Sequence, residues 1–394
     1  MKIAYIITDY GAFNNFLAEL SVNLLQKKYE IHVICSNDKV INRKDKYNYV
    51  ELGINFYHLE FPRGFNFLKH LKISKKIHHL LEKIDPDLVH INFTTAAFTT
   101  LLYKKPRFPT LGTFHGLGFP VLSGRRRKIF KLVENFCFTR LDQIWLLNKV
   151  DYDIVNKTHP HKAFYYDSAG LGCDLDKFNP ENFSQGSKSI LKKKLEIRPD
   201  DFVITFTGRY VDFKGYHLVV RSFFEAFQKH KNLKLILLGG RDPIHPTGLS
   251  KEEEEQLLEC PNIIDIGFTH EIEKYLSISD VFLFPSVKEG VPVCIIEALA
   301  MAVPVITADS RGCNELIFDY KNGLLIANPP MISDIVGKIY LLINNNEYLK
   351  KLANQARNDR TIYGRENFIE EQCEIYNLTI SRSKRKEGQE VEHA

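Results

Sequence analysis

The sequence predicts an α/β protein made of two doubly wound parallel-sheet domains, each Rossmann-like. Three observations support this fold class. Short, continuous apolar runs alternate with helical patterns along the chain, and the alternation starts afresh near residue 180. The length of 394 residues also fits two domains better than one. Continuous apolar strands separated by helices are typical of parallel sheets covered on both faces.

The strands are predicted in chain order from these apolar runs. In the first half they cover residues 3–8, 31–36, 54–61, 88–93, 110–114, 143–147 and 164–168. In the second half they cover residues 202–207, 233–238, 263–266, 281–284, 305–307 and 324–326. Helical spacing of apolar residues predicts helices over 14–26, 67–84, 215–229, 271–279 and 293–302.

The domain boundary is predicted between residues 178 and 179, because residues 179–189 have the composition of a linker. The first domain is then expected to cover residues 1–178 and the second residues 179–380. The final helix of the second domain could pack back on the first. Residues 381–394 are almost entirely polar and are expected to form a disordered tail.

Composition excludes several classes of protein. The seven cysteines contain no Cys-x-x-Cys pair, which argues against a disulfide framework or a zinc ribbon and favours a reducing compartment. The apolar start of the chain is too short for a secretory signal, and no run reaches the ~18 apolar residues of a membrane span. We expect a cytoplasmic protein that is either soluble or peripheral on the inner face of the membrane.

Positive charge is concentrated in the first half of the chain. Residues 1–178 carry a net charge of +9 and residues 179–394 a net charge of −4. The densest cluster comprises Arg125, Arg126, Arg127 and Lys128, with aromatic residues nearby in the sequence. A solvated helix face is one interpretation of this cluster, and contact with an anionic membrane surface is the other.

Candidate ligand-binding residues follow the strands of the second half, since ligands of parallel sheets bind beyond the carboxyl ends of the strands. Gly208 is expected to let the chain leave strand 202–207 tightly. Arg209 and Lys214 then stand near the start of the next helix. Two cations at a strand end could clamp a diphosphate, although an ordinary basic loop has the same composition.

The loop after strand 281–284 carries Glu289, Gly290 and Val291 and leads into a helix that contains Glu297. The amide groups at this helix start favour an anion. Glu297 lies in an apolar stretch, and a buried carboxylate needs either protein donors or ligand hydroxyls as partners. We favour ligand hydroxyls.

Weaker candidates follow three other strands. Glu315 opens a short helix after strand 305–307, and Gly11 follows the first strand. His115 and Gly116 follow strand 110–114 in a glycine-rich turn. A lone histidine is more often structural, but the position of His115 at a strand end favours a function.

Together these residues resemble the GT-B glycosyltransferases of family four, which are retaining, nucleotide-sugar-dependent enzymes. The resemblance covers nearly the whole chain. Its most specific part is the paired-glutamate motif at residues 286–302, followed by the diphosphate loop with Gly208, Arg209 and Lys214. Residues 172–180 look like the family's hinge. Residues 115–118 are similar to a subset that builds capsule, O-antigen and related surface glycans on a polyprenyl diphosphate carrier.

The resemblance implies a role for each candidate residue. Arg209 and Lys214 would hold the nucleotide diphosphate, Glu297 the ribose hydroxyls, and Glu289 the donor sugar with help from the backbone after Gly290. Glu315 would line the nucleotide pocket. His115 would lie near donor sugar and acceptor. The first loop departs from the family, because Tyr10-Gly11-Ala12-Phe13 replaces a common Gly-Gly pair.

The implied reaction is transfer of a hexose or N-acetylhexosamine, with retention of configuration, from a UDP-sugar to a glycan or polyprenyl-diphosphate-linked acceptor. The two domains of such an enzyme face a cleft, and the resemblance implies that the first domain binds the acceptor and the second binds the nucleotide sugar. The acceptor hydroxyl attacks from the front face, and the departing phosphate serves as its base. No cofactor, metal ion or nucleic acid is expected, and three Asp-x-Asp triplets are interpreted as chance.

Four alternatives stay open from the sequence. A dinucleotide-dependent oxidoreductase would need a Gly-x-Gly-x-x-Gly turn after a first strand, and neither half supplies one. Another GT-B enzyme, an epimerase or a phosphorylase, would share the fold. A glycosyltransferase with a soluble acceptor would share the site. A catalytically inactive homologue would act as a binding partner.

Overall fold

The protein is described from a computed structural model. It describes residues 1–38, 45–62, 64, 66–243 and 245–392, with side chains up to residue 383. The chain divides into two compact units. Unit 1 comprises Met1–Asp167 and Ile369–Ala394, and unit 2 comprises Ser168–Phe368. The two units are described separately below.

Unit 1 is built on a seven-stranded parallel sheet in the order β3-β2-β1-β4-β5-β6-β7. The strands are β1 (Lys2–Asp9), β2 (Glu30–Ser36), β3 (Asn55–His58), β4 (Leu88–Asn92), β5 (Thr110–Phe114), β6 (Gln143–Leu146) and β7 (Ala163–Phe164). The strand order reverses at β1, between β2 and β4. The carboxyl ends of β1 and β4 therefore flank the point where a doubly wound sheet offers a ligand crevice.

The helices of unit 1 connect these parallel strands. They are α1 (Tyr10–Phe16), α2 (Ala18–Gln26), α3 (Phe67–Ile84), α4 (Thr94–Leu101), α5 (Gly124–Arg140) and α6 (Lys149–Asn156). Their apolar faces join the sheet in a core that includes Ile6, Ile34, Val89, Ile91 and Phe114. The expected helix over 14–26 is two helices that meet at Leu17. The first begins earlier than expected, at Tyr10, because the side chain of Asp9 caps it by accepting from the amide of Ala12 at 2.9 Å.

Unit 2 is built on a six-stranded parallel sheet in the order β10-β9-β8-β11-β12-β13. The strands are β8 (Phe202–Tyr210), β9 (Leu233–Arg241), β10 (Ile263–Gly267), β11 (Val281–Phe284), β12 (Val305–Ala308) and β13 (Gly323–Ile326). The helices that start in unit 2 are α7 (Gln185–Lys194), α8 (Tyr216–Lys229), α9 (Lys251–Glu259), α10 (Ile272–Leu276), α11 (Val293–Ala300), α12 (Ile332–Ile343), α13 (Asn346–Asn358) and α14 (Arg365–Glu392). The predicted fold class of two parallel-sheet, Rossmann-like domains is confirmed.

Helix α14 begins in unit 2, and from Ile369 onward its residues belong to unit 1. There the hydroxyl of Tyr376 lies 2.9 Å from the hydroxyl of Tyr5 and 2.9 Å from Nδ1 of His90. All three side chains are fully buried. A buried, hydrogen-bonded network of this kind fixes the helix on the sheet of unit 1.

The segments around the predicted boundary and tail differ from the expectation. Unit 2 begins at Ser168, before the predicted boundary at 178, and the linker-like residues 179–189 include the start of α7. The hydroxyl of Ser184 accepts from the amide of Ser187 at 3.1 Å and caps that helix. Residues 381–392, expected to lack structure, continue α14, since Lys, Arg, Glu and Gln favour helix.

Within the described part of the chain, no helix is both long enough and apolar enough to cross a membrane.

Candidate functional site

The end of β8 is the first part of the candidate site in unit 2. The strand runs through Gly208 and Arg209 to Tyr210, so the expectation that the chain leaves the sheet at Gly208 is wrong. Gly208 pairs with Gly239 of β9, and a Cβ at Gly239 would overlap the carbonyl oxygen of Gly208. The close approach of these two glycines lets the ladder extend through Arg209, whose side chain is exposed near the end of the strand.

Lys214 and Glu289 form the central ion pair of unit 2. Nζ of Lys214 lies 2.7 Å from Oε1 of Glu289, which also accepts from the hydroxyl of Ser286 at 2.9 Å. The two side chains are only 17% and 14% exposed. Burial lowers the pKa of Lys214, but the carboxylate outweighs this effect and leaves the pKa above its usual range. The structure thus brings together a cation and an anion from two separately predicted loops.

The amino end of α11 lies beside this pair. Burial raises the pKa of the Cys294 thiol well above its usual range, and the charge of Lys214 acts against that rise. The ammonium group of Lys214 is therefore close to the first turn of α11. No side chain caps this helix. The amide of Ile295 donates to the carbonyl of Pro292 at 3.1 Å, which leaves the amides of Val293 and Cys294 without a backbone acceptor among the described residues. An anion placed here meets both a cation and a helix amino end.

Arg209 is held by a carboxylate that the sequence analysis missed. Its guanidinium forms an ion pair with Asp242 and lies 5.7 Å from the ring centre of Phe213. Asp242 is nearly buried, whereas Arg209 is about half exposed, at 52%. Asp242 directly follows β9, which pairs with β8. Its position at the end of the neighbouring strand was the sequence feature that could have identified it as the partner of Arg209.

Glu297 is buried within α11, as its apolar surroundings predicted, and is 7% exposed. Burial first, and the charge of Glu297 second, raise the pKa of Cys173 to about 12, which places the carboxylate near that thiol. Val291 is also buried. Glu315 lies in a 3₁₀ turn, Asn314–Leu316, and is partly exposed.

The loops that carry Glu289 and Glu315 pack directly on each other. A Cβ at Gly312 would overlap the carbonyl oxygen of Gly290, and Gly312 has a φ of 81°. The hydroxyl of Ser310 donates to the carbonyl of Ser286 at 2.7 Å. The backbone of residues 286–290 is therefore held against residues 310–312, as a loop that presents amides to a ligand requires.

His115 of unit 1 lies just after β5 as a neutral imidazole. Burial lowers the pKa of His115 to about 3. Its Nε2 lies 3.1 Å from the side-chain oxygen of Asn92. An amide oxygen only accepts, so Nε2 carries the proton and Nδ1 keeps its lone pair. Among the described residues, Nδ1 has no hydrogen-bond partner.

Two aromatic rings clamp this imidazole. The ring centres of Phe93 and Phe16 lie 4.3 and 4.8 Å from that of His115. Phe93 has a φ of 72°, a strained value for a bulky residue and one that tends to occur at functional sites. None of the three neighbours Asn92, Phe93 and Phe16 was predicted from the sequence. The available signal was Asn92, which ends β4 next to β5.

The turn after His115 is anchored by two buried carboxylates. Asp151 accepts from the amide of Leu117 at 2.9 Å, and Glu134 of α5 accepts from those of Gly118 and Phe119 at 2.8 and 3.2 Å. Burial raises the pKa of Glu134. Asp151 belongs to one of the Asp-x-Asp triplets and has this structural role.

Gly11 and Gly116, the two glycines of unit 1 predicted as site residues, lie in different structural environments. Gly116 is partly exposed in the turn after His115. Gly11 is buried in the first turn of α1, where its amide donates to the carbonyl of Asp38 at 3.2 Å. Gly11 therefore fixes the start of α1 against the loop after β2.

The basic cluster occupies the first turns of α5. Arg125, Arg126, Arg127 and Lys128 are all exposed. The aromatic residues thought to surround them point elsewhere: Phe119 and Phe138 are buried in the core of unit 1, and Phe130 and Phe136 pack against it. The exposed apolar residues of this helix are instead Ile129 and Leu132, at 44% and 71%.

Groups of three or more His, Cys, Asp or Glu side chains suited to a metal ion do not occur among the described residues. The expectation that the site uses no metal remains a prediction.

Two family models match the chain. Residues 14–163 match Glycosyltransferase Family 4, and residues 187–359 match Glycosyl transferases group 1.

Among curated proteins, the capsular polysaccharide biosynthesis glycosyltransferase CapM of Staphylococcus aureus is 25% identical over 343 residues, which cover 85% of this chain and 86% of CapM. The N,N'-diacetylbacillosaminyl-diphospho-undecaprenol alpha-1,3-N-acetylgalactosaminyltransferase of Campylobacter jejuni is 24% identical over 392 residues, which cover 96% of this chain and 99% of that enzyme.

Among solved structures, Anabaena HepE in complex with UDP matches with a TM-score of 0.76 at 16% identity, over 96% of this chain and 100% of HepE. At this identity the likeness shows the fold alone, which is the GT-B fold expected from the sequence.

Proposed function

We propose that this chain, in which residues 14–163 match Glycosyltransferase Family 4 and residues 187–359 match Glycosyl transferases group 1, transfers a sugar from a UDP-sugar to a lipid-linked acceptor with retention of configuration. The observation that carries this proposal is the buried pair of Lys214 and Glu289 beside the amino end of α11. A cation and unpaired amides suit a diphosphate, and a carboxylate suits sugar hydroxyls. HepE, solved with UDP, supports the choice of nucleotide.

The acceptor proposal follows from the relatives and concerns surface polysaccharide synthesis. The name of the Campylobacter enzyme describes a sugar linked to diphospho-undecaprenol, and CapM is named for capsular polysaccharide. We assign to this chain an acceptor of the same chemistry, a sugar on a polyprenyl diphosphate.

The reaction breaks the bond between the anomeric carbon and the diphosphate oxygen and forms one to the acceptor oxygen. Negative charge develops on the leaving diphosphate, where Lys214, Arg209 and the amides of α11 stabilise it. The acceptor's proton passes to an oxygen of the departing phosphate, which makes front-face attack and retention compatible. No metal ion takes part in this scheme.

The remaining candidate residues bind and orient the donor. Glu297 accepts hydrogen bonds from the ribose hydroxyls, and Glu315 lines the nucleotide pocket. Glu289 accepts from a hydroxyl of the donor sugar while it holds Lys214 in place. His115, neutral and with a lone pair on Nδ1, accepts a hydrogen bond from a sugar hydroxyl.

A transfer assay tests the proposal. The protein is incubated with a panel of UDP-sugars and an undecaprenyl-diphosphate-linked sugar, products are weighed by mass spectrometry, and NMR assigns the anomer. We expect one added sugar with retained configuration and unchanged activity in EDTA. An inverted product would overturn retention. Phosphate-dependent sugar release without transfer would indicate a phosphorylase, and loss of activity in EDTA that Mg²⁺ restores would overturn the metal-free scheme.

We also propose that α5 docks on an anionic membrane. Arg125 is followed three, four and seven residues later by Lys128, Ile129 and Leu132, so two cations and two exposed apolar side chains share one helix face. Such a face suits the lipid headgroup zone, where each cation contributes about 1 kcal/mol.

Vesicle flotation tests this docking. The wild type should float with anionic vesicles at low salt and be released at high salt. A variant with residues 125–128 changed to Ser should stay in solution, whereas a control with Lys192, Lys193 and Lys194 of α7 changed to Ser should still float. Equal flotation of both variants would place the membrane contact elsewhere.

A further inference from the structure

The two cations assigned to the diphosphate are each paired with a carboxylate. Arg209 forms an ion pair with Asp242. Nζ of Lys214 lies 2.7 Å from Oε1 of Glu289. The charges cancel within each pair, and a diphosphate that loses its hydration shell needs opposite charge in return. Additional positive charge beside these pairs would therefore strengthen the binding of a diphosphate.

Lys288 is a third cation near these pairs, and the reaction scheme above gives it no role. Its Nζ lies 5.6 Å from the ring centre of Phe213. The guanidinium carbon of Arg209 lies 5.7 Å from the same ring centre. Phe213 directly precedes Lys214, and Lys288 directly precedes Glu289. Lys288 thus shares one aromatic contact with Arg209 and is adjacent in the chain to the second ion pair.

The ammonium group of Lys288 is not neutralised. Within the described part of the chain, its Nζ has neither a carboxylate nor a hydrogen-bond acceptor as a partner. The side chain is exposed. A contact between an exposed ammonium group and an aromatic face is weak. Because the stem of lysine is flexible, Lys288 can leave Phe213 for a phosphate oxygen at little cost.

The backbone that carries Lys288 is held in place. The amide of Val287 donates to the carbonyl of Phe213 at 3.1 Å, and the hydroxyl of Ser286 lies 3.1 Å from the same carbonyl. These contacts fix the loop on the 3₁₀ turn Asp212–Lys214. Lys288 therefore combines a fixed backbone with a mobile cation, which suits a group that must follow a charge as it moves.

We propose that Lys288 is a catalytic residue that contacts the terminal phosphate of the leaving nucleoside diphosphate. The inference rests on the proposed function, which supplies the diphosphate. When the bond between the anomeric carbon and the phosphate oxygen breaks, the electron pair stays on that oxygen and the negative charge of the diphosphate rises. An unpaired, mobile cation gains more from this rise than a cation held by a carboxylate. Lys288 thus binds the departing diphosphate more tightly than the intact donor.

Calorimetry with UDP and UMP tests the contact. Lys288→Met should raise the Kd for UDP by about tenfold and that for UMP, which lacks the terminal phosphate, by less than about twofold. A residue that only stabilises the loop would change both affinities alike. The matched control is Lys231→Met, which should change neither. Lys231 is also exposed and lies 4.6 Å from the ring centre of Phe227, but it precedes the amino end of β9.

Steady-state kinetics separates stabilisation of the leaving group from binding of the donor. In Lys288→Met, kcat should fall by about tenfold or more, whereas the KM for the UDP-sugar should change by less than about threefold. Lys288→Arg keeps the charge and should retain kcat within about threefold. Added NaCl should raise the Kd of the wild type for UDP more steeply than that of Lys288→Met, because salt screens an exposed cation.

The outcomes separate the two proposals. Unchanged kcat and UDP affinity in Lys288→Met would overturn the role of Lys288 and leave the proposed function intact. Equal weakening of UDP and UMP would also overturn the contact with the terminal phosphate. Failure of the wild type to transfer sugar would overturn the proposed function, and calorimetry would still report on Lys288.

A wild type that binds no UDP would overturn the choice of nucleotide. Calorimetry would then be repeated with ADP, GDP and dTDP, since Lys288 is assigned to the phosphate and not to the base. Loss of affinity for one of these in Lys288→Met would support the contact. Absence of binding to all of them would overturn both proposals.

Discussion

The pair of Lys214 and Glu289 predicts a separation between stability and activity. At 2.7 Å and an effective dielectric constant of about 20, two unit charges attract by about 6 kcal/mol before desolvation is subtracted. Removing one partner leaves the other charge buried, which costs about 3–5 kcal/mol. Because each side chain keeps some exposure, we expect Lys214→Met and Glu289→Gln each to cost about 3 kcal/mol.

The double variant should behave differently. It leaves no uncompensated charge, and the side-chain amide introduced by Glu289→Gln can still accept from Ser286, so its stability should return to within about 1 kcal/mol of wild type. Activity should not return, because the cation that faces the leaving diphosphate is gone. We expect kcat/KM to stay lower by about 100-fold or more.

Urea unfolding of the four proteins measures the stability cycle, and the transfer assay measures activity. The exposed pair Lys149 and Asp153 provides the control, since its side chains are 54% and 48% exposed and Lys149→Met should change stability by less than about 1 kcal/mol. Additive losses in the double variant would show that the two charges do not compensate each other. Recovery of turnover in it would remove Lys214 from the mechanism.

Three further predictions concern single residues. Arg209→Ala should lower kcat/KM by about 100-fold or more because it removes one cation from the leaving group, and steady-state kinetics with near-native turnover would exclude this role. Glu297→Gln should keep the fold and weaken UDP binding by about 1.5–3 kcal/mol, and an unchanged calorimetric affinity would show that Glu297 does not bind ribose. Burial lowers the pKa of His115 to about 3, so NMR should detect no titration of His115 above about pH 5. The pH profile of kcat/KM should likewise show no change caused by His115 above that pH. Asn92→Asp should raise this pKa, since a carboxylate at Nε2 favours the imidazolium; a histidine that titrates near 6.5 in the wild type would contradict the buried, neutral assignment.

Much of the fold could be predicted from the sequence, because buried parallel strands appear in it as short runs of apolar residues. The predicted helix 67–84 matches α3, and the predicted strand 110–114 matches β5. Errors fell where local hydrogen bonds or close packing decide the boundary. The cap by Asp9 starts α1 at Tyr10, before the helix start at residue 14 that apolar spacing predicts. The close pairing of Gly208 with Gly239 extends β8 past Gly208, where the sequence predicts that the strand ends.

The candidate site was only partly accessible from the sequence. Strand ends located Lys214, Glu289 and His115, since ligand sites of parallel sheets lie there. Their partners are set by register between strands, which apolar patterns do not encode. Asp242 reaches Arg209 because β9 pairs with β8, and Asn92 reaches His115 because β4 pairs with β5. The direction of the aromatic side chains around α5 was likewise decided by packing.

The placement of α14 affects how the chain folds during synthesis and how its amino-terminal domain can be expressed alone. The network of Tyr376, Tyr5 and His90 joins α14 to two strands that lie 371 and 286 residues earlier in the chain. Unit 1 therefore cannot complete this network until α14 has been synthesised, and Tyr5 and His90 stay without Tyr376 until then. An expression fragment that stops near residue 178 would expose the same polar groups in an apolar surface. For the amino-terminal domain to fold alone, the expressed fragment should therefore include residues 369–383, joined by a linker to the end of residues 1–167.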